Sequence, residues 1–310
     1  MKVIEGIQEL GEKGYMVVTS GTFDGVHVGH RKILHRVNEL ARANNGKSVV
    51  ITFWPHPRYI LGNADTLKLL STWEEKERLI EELKIDYLIK IPFTKEFSDL
   101  TGIEFIQKVL VDAIGTKKLV IGYDHRFGKN REGSFEYLKD NAPDFGFEVE
   151  EIPRQDIEHM AVSSTKIRTA LVEGDVALAN EFLGYHYSLE GTVVKGDRIG
   201  REMGFPTANI QVQNELKLIP ADGIYAVHAD VRGKRYDGML YIGNRPTLKG
   251  SPRKIEVNIF NFAESIYGVT IRVSFVEQLR HDKRFETLDA LKQQLFVDKE
   301  QALEVLKAFK

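Results

Sequence analysis

The sequence predicts an α/β part built on a parallel sheet, followed by a small antiparallel β-barrel or sandwich that carries a C-terminal helix. Three observations lead there. Through about residue 183, short β-rich apolar runs alternate with longer stretches of helical spacing, the pattern of strands joined by crossover helices. After Gly184 the chain changes to short strands separated by glycine-containing turns. From Thr287 onward, apolar residues again recur three and four apart. A chain of 310 residues, 42% of them hydrophobic, is long for one core and sufficient for two, so the expected domains are 1–184 and 185–310.

In the first part the strands are expected at 15–19, 48–53, 87–91, 118–121 and 147–152, each short and bounded by polar, glycine or proline residues. Helices are expected at 30–43, 74–83, 103–113 and 165–172, the last capped by Ser163 or Ser164. In the second part strands are expected at 187–194, 223–229, 234–242, 254–258 and 270–279. The terminal helix then turns Leu288, Leu291, Leu295, Ala302, Val305 and Leu306 inward. No repeat or low-complexity tract separates the parts, so the junction at 183–186 is expected to be short.

Composition narrows the function. Forty-three basic residues against 45 acidic ones leave no global field to collect nucleic acid or an anionic membrane, so anionic ligands need local sites. No basic patch with interleaved aromatics suggests nucleic-acid binding. With no cysteine, disulfides, thiolate metal sites and a cysteine nucleophile are excluded. Met1 to Glu5 is polar where a secretory signal is apolar, and no run approaches the roughly 18 apolar residues of a membrane span. The expectation is a cytoplasmic protein with no membrane partner.

The most informative stretch follows the first expected strand: Gly21-Thr22-Phe23-Asp24-Gly25-Val26-His27-Val28-Gly29-His30, leading into a helical pattern. A strand, a tight turn and a helix start offer backbone N–H groups and the positive end of a helix dipole to an anion, and glycines admit the ligand closely. His27 and His30 can then donate to phosphate oxygens without acting as nucleophiles. Zinc is disfavoured because there is no cysteine and no nearby carboxylate in a metalloprotease-like arrangement. The GxGxxG and GxxxxGK[ST] nucleotide loops are both absent here.

This string resembles the HxGH signature of the nucleotidyltransferase superfamily, in the form found in prokaryotic FAD synthetases. Three further stretches resemble motifs of that family in the same order. They are Thr52-Phe53-Trp54-Pro55-His56-Pro57-Arg58, Gly122-Tyr123-Asp124-His125-Arg126-Phe127-Gly128 and Ser163-Ser164-Thr165-Lys166-Ile167-Arg168. The resemblance implies a Rossmann-like domain that transfers AMP from ATP to FMN and releases pyrophosphate. It implies ATP contacts from Gly21, Phe23, Asp24, His27, Gly29 and His30, and a second phosphate clamp of Ser164, Thr165 and Arg168. His27, His30 and Arg168 would act by charge. His56 would line the flavin site. Asp124 either binds adenosine or flavin hydroxyls or simply ends a strand.

A second stretch, residues 191–209, is glycine-rich, carries three basic residues and ends in Phe205-Pro206-Thr207-Ala208-Asn209. On residue chemistry it is either a cationic phosphate loop with a hydroxyl and an amide suited to magnesium, or a hairpin with a long surface loop. It resembles the riboflavin kinase signature ending in PTAN, and the later stretches around 223–227, 242–247, 255–260 and 279–285 follow that family in order. The resemblance implies that Gly196 and Arg201 contact ATP, that Thr207 and Asn209 hold Mg2+ with ATP, that Glu256 is the base for the ribityl hydroxyl, and that Arg280 helps to hold the flavin. Asn258 departs from the histidine more common at that position. The implied substrates are riboflavin, FMN and ATP, with FMN and FAD as products. Two alternatives share these motifs: an enzyme active only in its adenylyltransferase half, and a catalytically dead flavin- or nucleotide-binding regulator.

Overall fold

Met16–Ser20 is buried at every position, as expected of an interior strand whose sheet is covered on both faces. The computed structural model describes all residues except 9, 12–13, 63–66, 124, 154–161, 197–199, 201–202, 244–252 and 309–310, and the side chain of 131. Its contacts divide the chain into two compact units, Met1–Ser163 and Ser164–Lys310.

The first unit holds six strands: β1 (Lys2–Glu5), β2 (Met16–Ser20), β3 (Lys47–Trp54), β4 (Tyr87–Pro92), β5 (Thr116–Gly122) and β6 (Glu148–Ile152). They form one sheet in the order β1-β4-β3-β2-β5-β6, parallel at every pairing. The five expected strands are present within a residue or two of their expected ends. β1 was not expected, because four residues at a sheet edge carry no continuous apolar run.

Alternation along the strands sends side chains to two cores. Met16, Val18, Val49, Ile51, Ile89, Ile91, Leu119 and Ile121 pack with Phe105, Ile106, Val109, Leu110 and Ala113. Those five lie on a helix that begins as Gly102–Phe105 and widens to π geometry over Ile106–Ile114. Val17, Val120 and Ile152 join a second core with Ile33, Val37 and Ala41 of helix α1 (Val28–Ala43), whose buried residues recur four apart as an amphipathic stripe requires. Each such side chain, fully buried, contributes on the order of 2 kcal/mol.

The strand order reverses at β2, where β3 lies on one side and β5 on the other. Ligands of open α/β sheets bind outside the carboxyl ends of the strands at such a switch point. Here the carboxyl ends of β2 and β5 are linked, with Ser20 Oγ 2.8 Å from His125 Nε2.

The second unit opens with helices α3 (Ser164–Glu173) and α4 (Val176–Leu183). It continues as six strands, β7 (Ser188–Val194), β8 (Ala208–Val212), β9 (Gly223–Val231), β10 (Lys234–Gly243), β11 (Lys254–Ile259) and β12 (Thr270–His281). These close a barrel in the order β10-β11-β8-β7-β12-β9. The expected "barrel or sandwich" is a barrel. β8, the strand that completes it, was not expected because its residues follow a loop rich in glycine and charge. The helices at 164–183 group with the barrel, although the expected boundary lay at 184. Asn180 accepts from the Tyr187 N–H at 2.7 Å and donates to the Phe275 carbonyl at 2.9 Å, and Ala221 N donates to the Leu171 carbonyl.

Helix α5 (Leu288–Lys307), capped by Thr287, covers the barrel through Ala302 and Leu306, which join Phe205, Ala226, Met239, Phe260 and Val276 in one core. Leu295 and Val305 pack at its margin as expected, and Leu291 is half-buried. Leu288 is a correction: it is 68% exposed, since residues 286–290 all project beyond the surface the barrel covers. At the centre of the inner face lies a carboxylate instead. Asp298 is fully buried and accepts from Arg280 Nε at 2.9 Å, Arg280 Nη2 at 2.8 Å and Gln294 Nε2 at 2.9 Å. Among the described residues no helix is long and apolar enough to cross a membrane.

Candidate functional sites

In the first unit the backbone between β2 and α1 is tightly wound. Phe23, Gly25 and Val26 have φ of 45°, 80° and 38°, and two of the three carry side chains in the left-handed region. Such strain persists only where surrounding structure enforces it. The enforcement comes from the segment leading into helix α2 (Trp73–Glu82). Asp24, 2% exposed, accepts from the N–H groups of Leu70 and Ser71, each at 3.1 Å, and from the Ser71 hydroxyl at 3.3 Å. The Gly25 N–H donates to Ser71 Oγ at 3.1 Å. The Thr22 carbonyl accepts from Thr52 Oγ1 at 3.2 Å and from Lys76 Nζ at 2.7 Å.

Held in this way, the turn ends at His27, which caps α1: its Nδ1 accepts from the His30 N–H at 3.3 Å. The two imidazoles stack with centroids 3.5 Å apart and an interplanar angle of 17°. Phe23 meets His30 edge-on at 5.2 Å. Gly29 leaves the space that His27 occupies, since a Cβ there would lie 3.3 Å from its ring. Gly21 likewise lies against the Phe23 ring.

His30 is half-buried as a residue, and its Nδ1 is buried with no hydrogen-bond partner among the described residues. Burial above all, then the His27 imidazole and the Lys76 ammonium, hold His30 well below the ordinary histidine value of 6.5. The sign of the pH dependence follows. Below 6.5 the unfolded chain takes up a proton that folded His30 refuses, so this contribution to stability is full above about 6.5 and is lost as pH falls. Both tryptophans, Trp54 and Trp73, lie in this unit, so their fluorescence reports its melting alone. From about pH 7 to about pH 5.5 the wild-type melting temperature is expected to drop further than that of His30→Gln; equal drops would contradict this account.

His56, expected to line a flavin pocket, is half-buried and caps the short turn Pro57–Ile60, accepting from the Arg58 N–H at 3.2 Å. It meets Tyr59 edge-on at 6.2 Å. Asp124 lies outside the described residues. Ser164 and Thr165 open α3 and Arg168 lies one turn along it, all in the second unit. Lys76, Thr22, Thr52 and Ser71 were not singled out from the sequence.

In the barrel, β8 and β11 pair so that Asn209 stands opposite Glu256. Thr207 Oγ1 donates to Glu256 Oε2 at 3.1 Å, so the expected metal ligand and the expected base meet although 49 residues separate them. Glu256 is 8% exposed. The Pro206 carbonyl accepts from Asn258 Nδ2 at 2.7 Å. Two side chains from alternate positions of β11 therefore grip the same turn.

Glycine is required beside that turn. A Cβ on Gly196 would collide with the Asn209 amide, and one on Gly200 with the Phe205 carbonyl. Arg201 lies outside the described residues. Arg280 is held by Asp298 through two hydrogen bonds, donates to the His281 carbonyl at 3.1 Å and lies 5.6 Å from the Phe285 ring. Asp298 was not singled out from the sequence.

A threonine hydroxyl, an asparagine amide oxygen and a carboxylate form a donor set suited to a hard cation that keeps waters and substrate phosphates. The Asn258 contact has a measurable consequence. Asn258→Ala removes one hydrogen bond, about 1 kcal/mol, and is expected to lower the stability of the second unit by about that amount. Urea unfolding followed by circular dichroism checks this; unchanged stability would make the contact incidental.

The family model described as FAD synthetase matches residues 11–166, and that described as riboflavin kinase matches residues 183–306. A bifunctional riboflavin kinase/FMN adenylyltransferase of Escherichia coli is 36% identical over 301 residues, covering 96% of each chain. The protein of that name from Bacillus subtilis is 35% identical, covering 94% of this chain and 93% of its own. A solved structure from Streptococcus pneumoniae, described as a macrolide-efflux protein, is 32% identical and superposes with a TM-score of 0.88 over 96% of this chain and 97% of its own.

Proposed function

Because the chain belongs to the bifunctional riboflavin kinase/FMN adenylyltransferase family, we propose that it makes FMN from riboflavin and ATP, and FAD from FMN and ATP. The contact that carries the reading is Thr207 Oγ1 to Glu256 Oε2, 3.1 Å. It puts a carboxylate able to take a proton beside a hydroxyl able to hold a metal.

In phosphorylation, Glu256 accepts the proton of the ribityl hydroxyl as that oxygen attacks the γ-phosphorus of ATP, and ADP leaves. Thr207 and Asn209 would hold Mg2+ together with ATP, and the ion would supply charge neutralisation to the transferring phosphoryl group. Gly196 and Arg201 are assigned to the nucleotide. Asn258 keeps the Pro206–Thr207 turn in register with Glu256. Arg280 serves the flavin indirectly, by tying β12 to α5 through Asp298.

In adenylyl transfer, a phosphate oxygen of FMN attacks the α-phosphorus of ATP and pyrophosphate leaves, with no covalent enzyme intermediate. Positioning and charge stabilisation suffice. His27 and His30 donate to phosphate oxygens, and Gly21, Phe23 and Gly29 allow the close approach. Asp24 acts through the turn it holds. By their likeness to the family's motif, Ser164, Thr165 and Arg168 are assigned to ATP phosphates, and the functional domains are proposed as 1–184 and 185–310. His56 and Asp124 are assigned to the flavin, and the cytoplasm is the proposed compartment.

The position of transferred phosphorus tests the scheme. With riboflavin and magnesium, ATP labelled at the γ-phosphorus is expected to label FMN and the FAD made from it, and ATP labelled at the α-phosphorus to label FAD but not FMN. Any other distribution would refute the two half-reactions.

A further inference from the structure

Lysine is almost never fully buried unless paired, because taking an ammonium out of water is costly. Lys76 is nevertheless only 2% exposed. It extends from α2 to the turn between β2 and α1, donating to the Thr22 carbonyl at 2.7 Å. Its Nζ lies 5.4 Å from the Trp54 ring. Asp24 supplies an opposing charge that lifts its affinity for a proton, but burial prevails and brings it down to about 8. Even so it is mostly charged near neutral pH.

We propose that Lys76 is a positioning residue for adenylyl transfer: its ammonium holds the Thr22 carbonyl, and so the strained turn through Phe23, Gly25 and Val26 that displays His27 and His30. The same charge acts through space on His30, whose imidazole stacks on His27 and meets the Phe23 edge. Asp24 acts on the lysine with the opposite charge. An imidazole kept neutral in this setting presents one N–H donor. A phosphate, bringing negative charge, then offsets the charge of the buried ammonium. The ordinary alternative is that Lys76 only fastens α2 to the turn; that role would leave the titration of His30 unchanged.

The inference rests on the adenylyl-transfer reading, and the test separates the two. Lys76→Met keeps the length and apolar contact of the side chain and removes its charge; Lys76→Arg keeps the charge. The variants are assayed in the full chain for FAD formation from FMN and for FMN formation from riboflavin, while His30 is titrated by NMR. Lys76→Met is expected to lower kcat/KM for FAD formation by roughly 10- to 100-fold, to leave riboflavin phosphorylation at the wild-type rate, and to move the His30 titration to higher pH. Lys76→Arg is expected to keep the low His30 titration and more of the activity. A wild-type rate of FAD formation in Lys76→Met, or a loss of rate with the His30 titration unmoved, would overturn the proposal. If tryptophan fluorescence shows the methionine variant unfolded, the arginine variant decides: a His30 titration at the ordinary value with the turn folded would equally overturn it. Absence of FAD formation in the wild type would instead refute the adenylyl-transfer reading itself.

Discussion

Glu256→Gln is expected to lower FMN formation from riboflavin by about 10²- to 10⁴-fold while FAD formation from supplied FMN continues at the wild-type rate. The substitution is nearly isosteric. A glutamine carbonyl can still accept from Thr207 Oγ1, so the turn over β11 keeps its anchor and only the proton acceptor is removed. That separates chemistry from packing, which Glu256→Ala would not, because alanine abandons the Thr207 contact as well. Initial rates of the two reactions, measured on one preparation with products separated by chromatography, check the expectation. Loss of both activities in a folded protein would contradict two independent sites.

His30→Ala is expected to do the reverse, lowering FAD formation by about 10²- to 10³-fold with riboflavin phosphorylation retained. The size follows from the position. His30 stands at the first turn of α1, stacked on His27, where a donor aimed at phosphate acts together with the helix end. Alanine also removes the ring that Phe23 and His27 pack against. His30→Gln therefore belongs beside it, since glutamine restores a donor and part of the volume. If the glutamine variant recovers the fold but not the rate, the imidazole itself is needed. If FAD formation survives in both variants, the phosphate role assigned to His30 is wrong.

Much of the architecture was legible because it is periodic. Interior parallel strands are apolar on both faces, so β2 to β5 announced themselves as apolar runs, and α1 as a stripe four residues apart. β1 and β8 were not legible. One is an edge strand of four residues, and the other follows directly on a loop whose composition suggests no strand.

The named motifs came out of the sequence because their residues are close along the chain. The network that holds them did not, because it joins residues far apart: Asp24 to Leu70 and Ser71, Thr22 to Lys76, Arg280 to Asp298. In Glu74-Glu75-Lys76-Glu77-Arg78 the lysine reads as one charge in a solvated helix face. A finer signal was present. Lys76 precedes Leu79 and Ile80 by three and four residues and Leu83 by seven, so it shares their buried face. Asp298 stands four residues before Ala302 and eight before Leu306 on α5 in the same way. A charge in phase with an apolar stripe is the mark of a buried pair, and only the structure supplies the partner.

The central claim, two consecutive reactions carried by one chain, is tested most directly by a time course of the purified protein with riboflavin, ATP and magnesium, run beside a second with FMN in place of riboflavin. FMN is expected first and FAD after it in one tube, and FAD without delay in the other. FAD from supplied FMN alone would leave the barrel without its kinase activity, and no product in either tube would contradict both assignments.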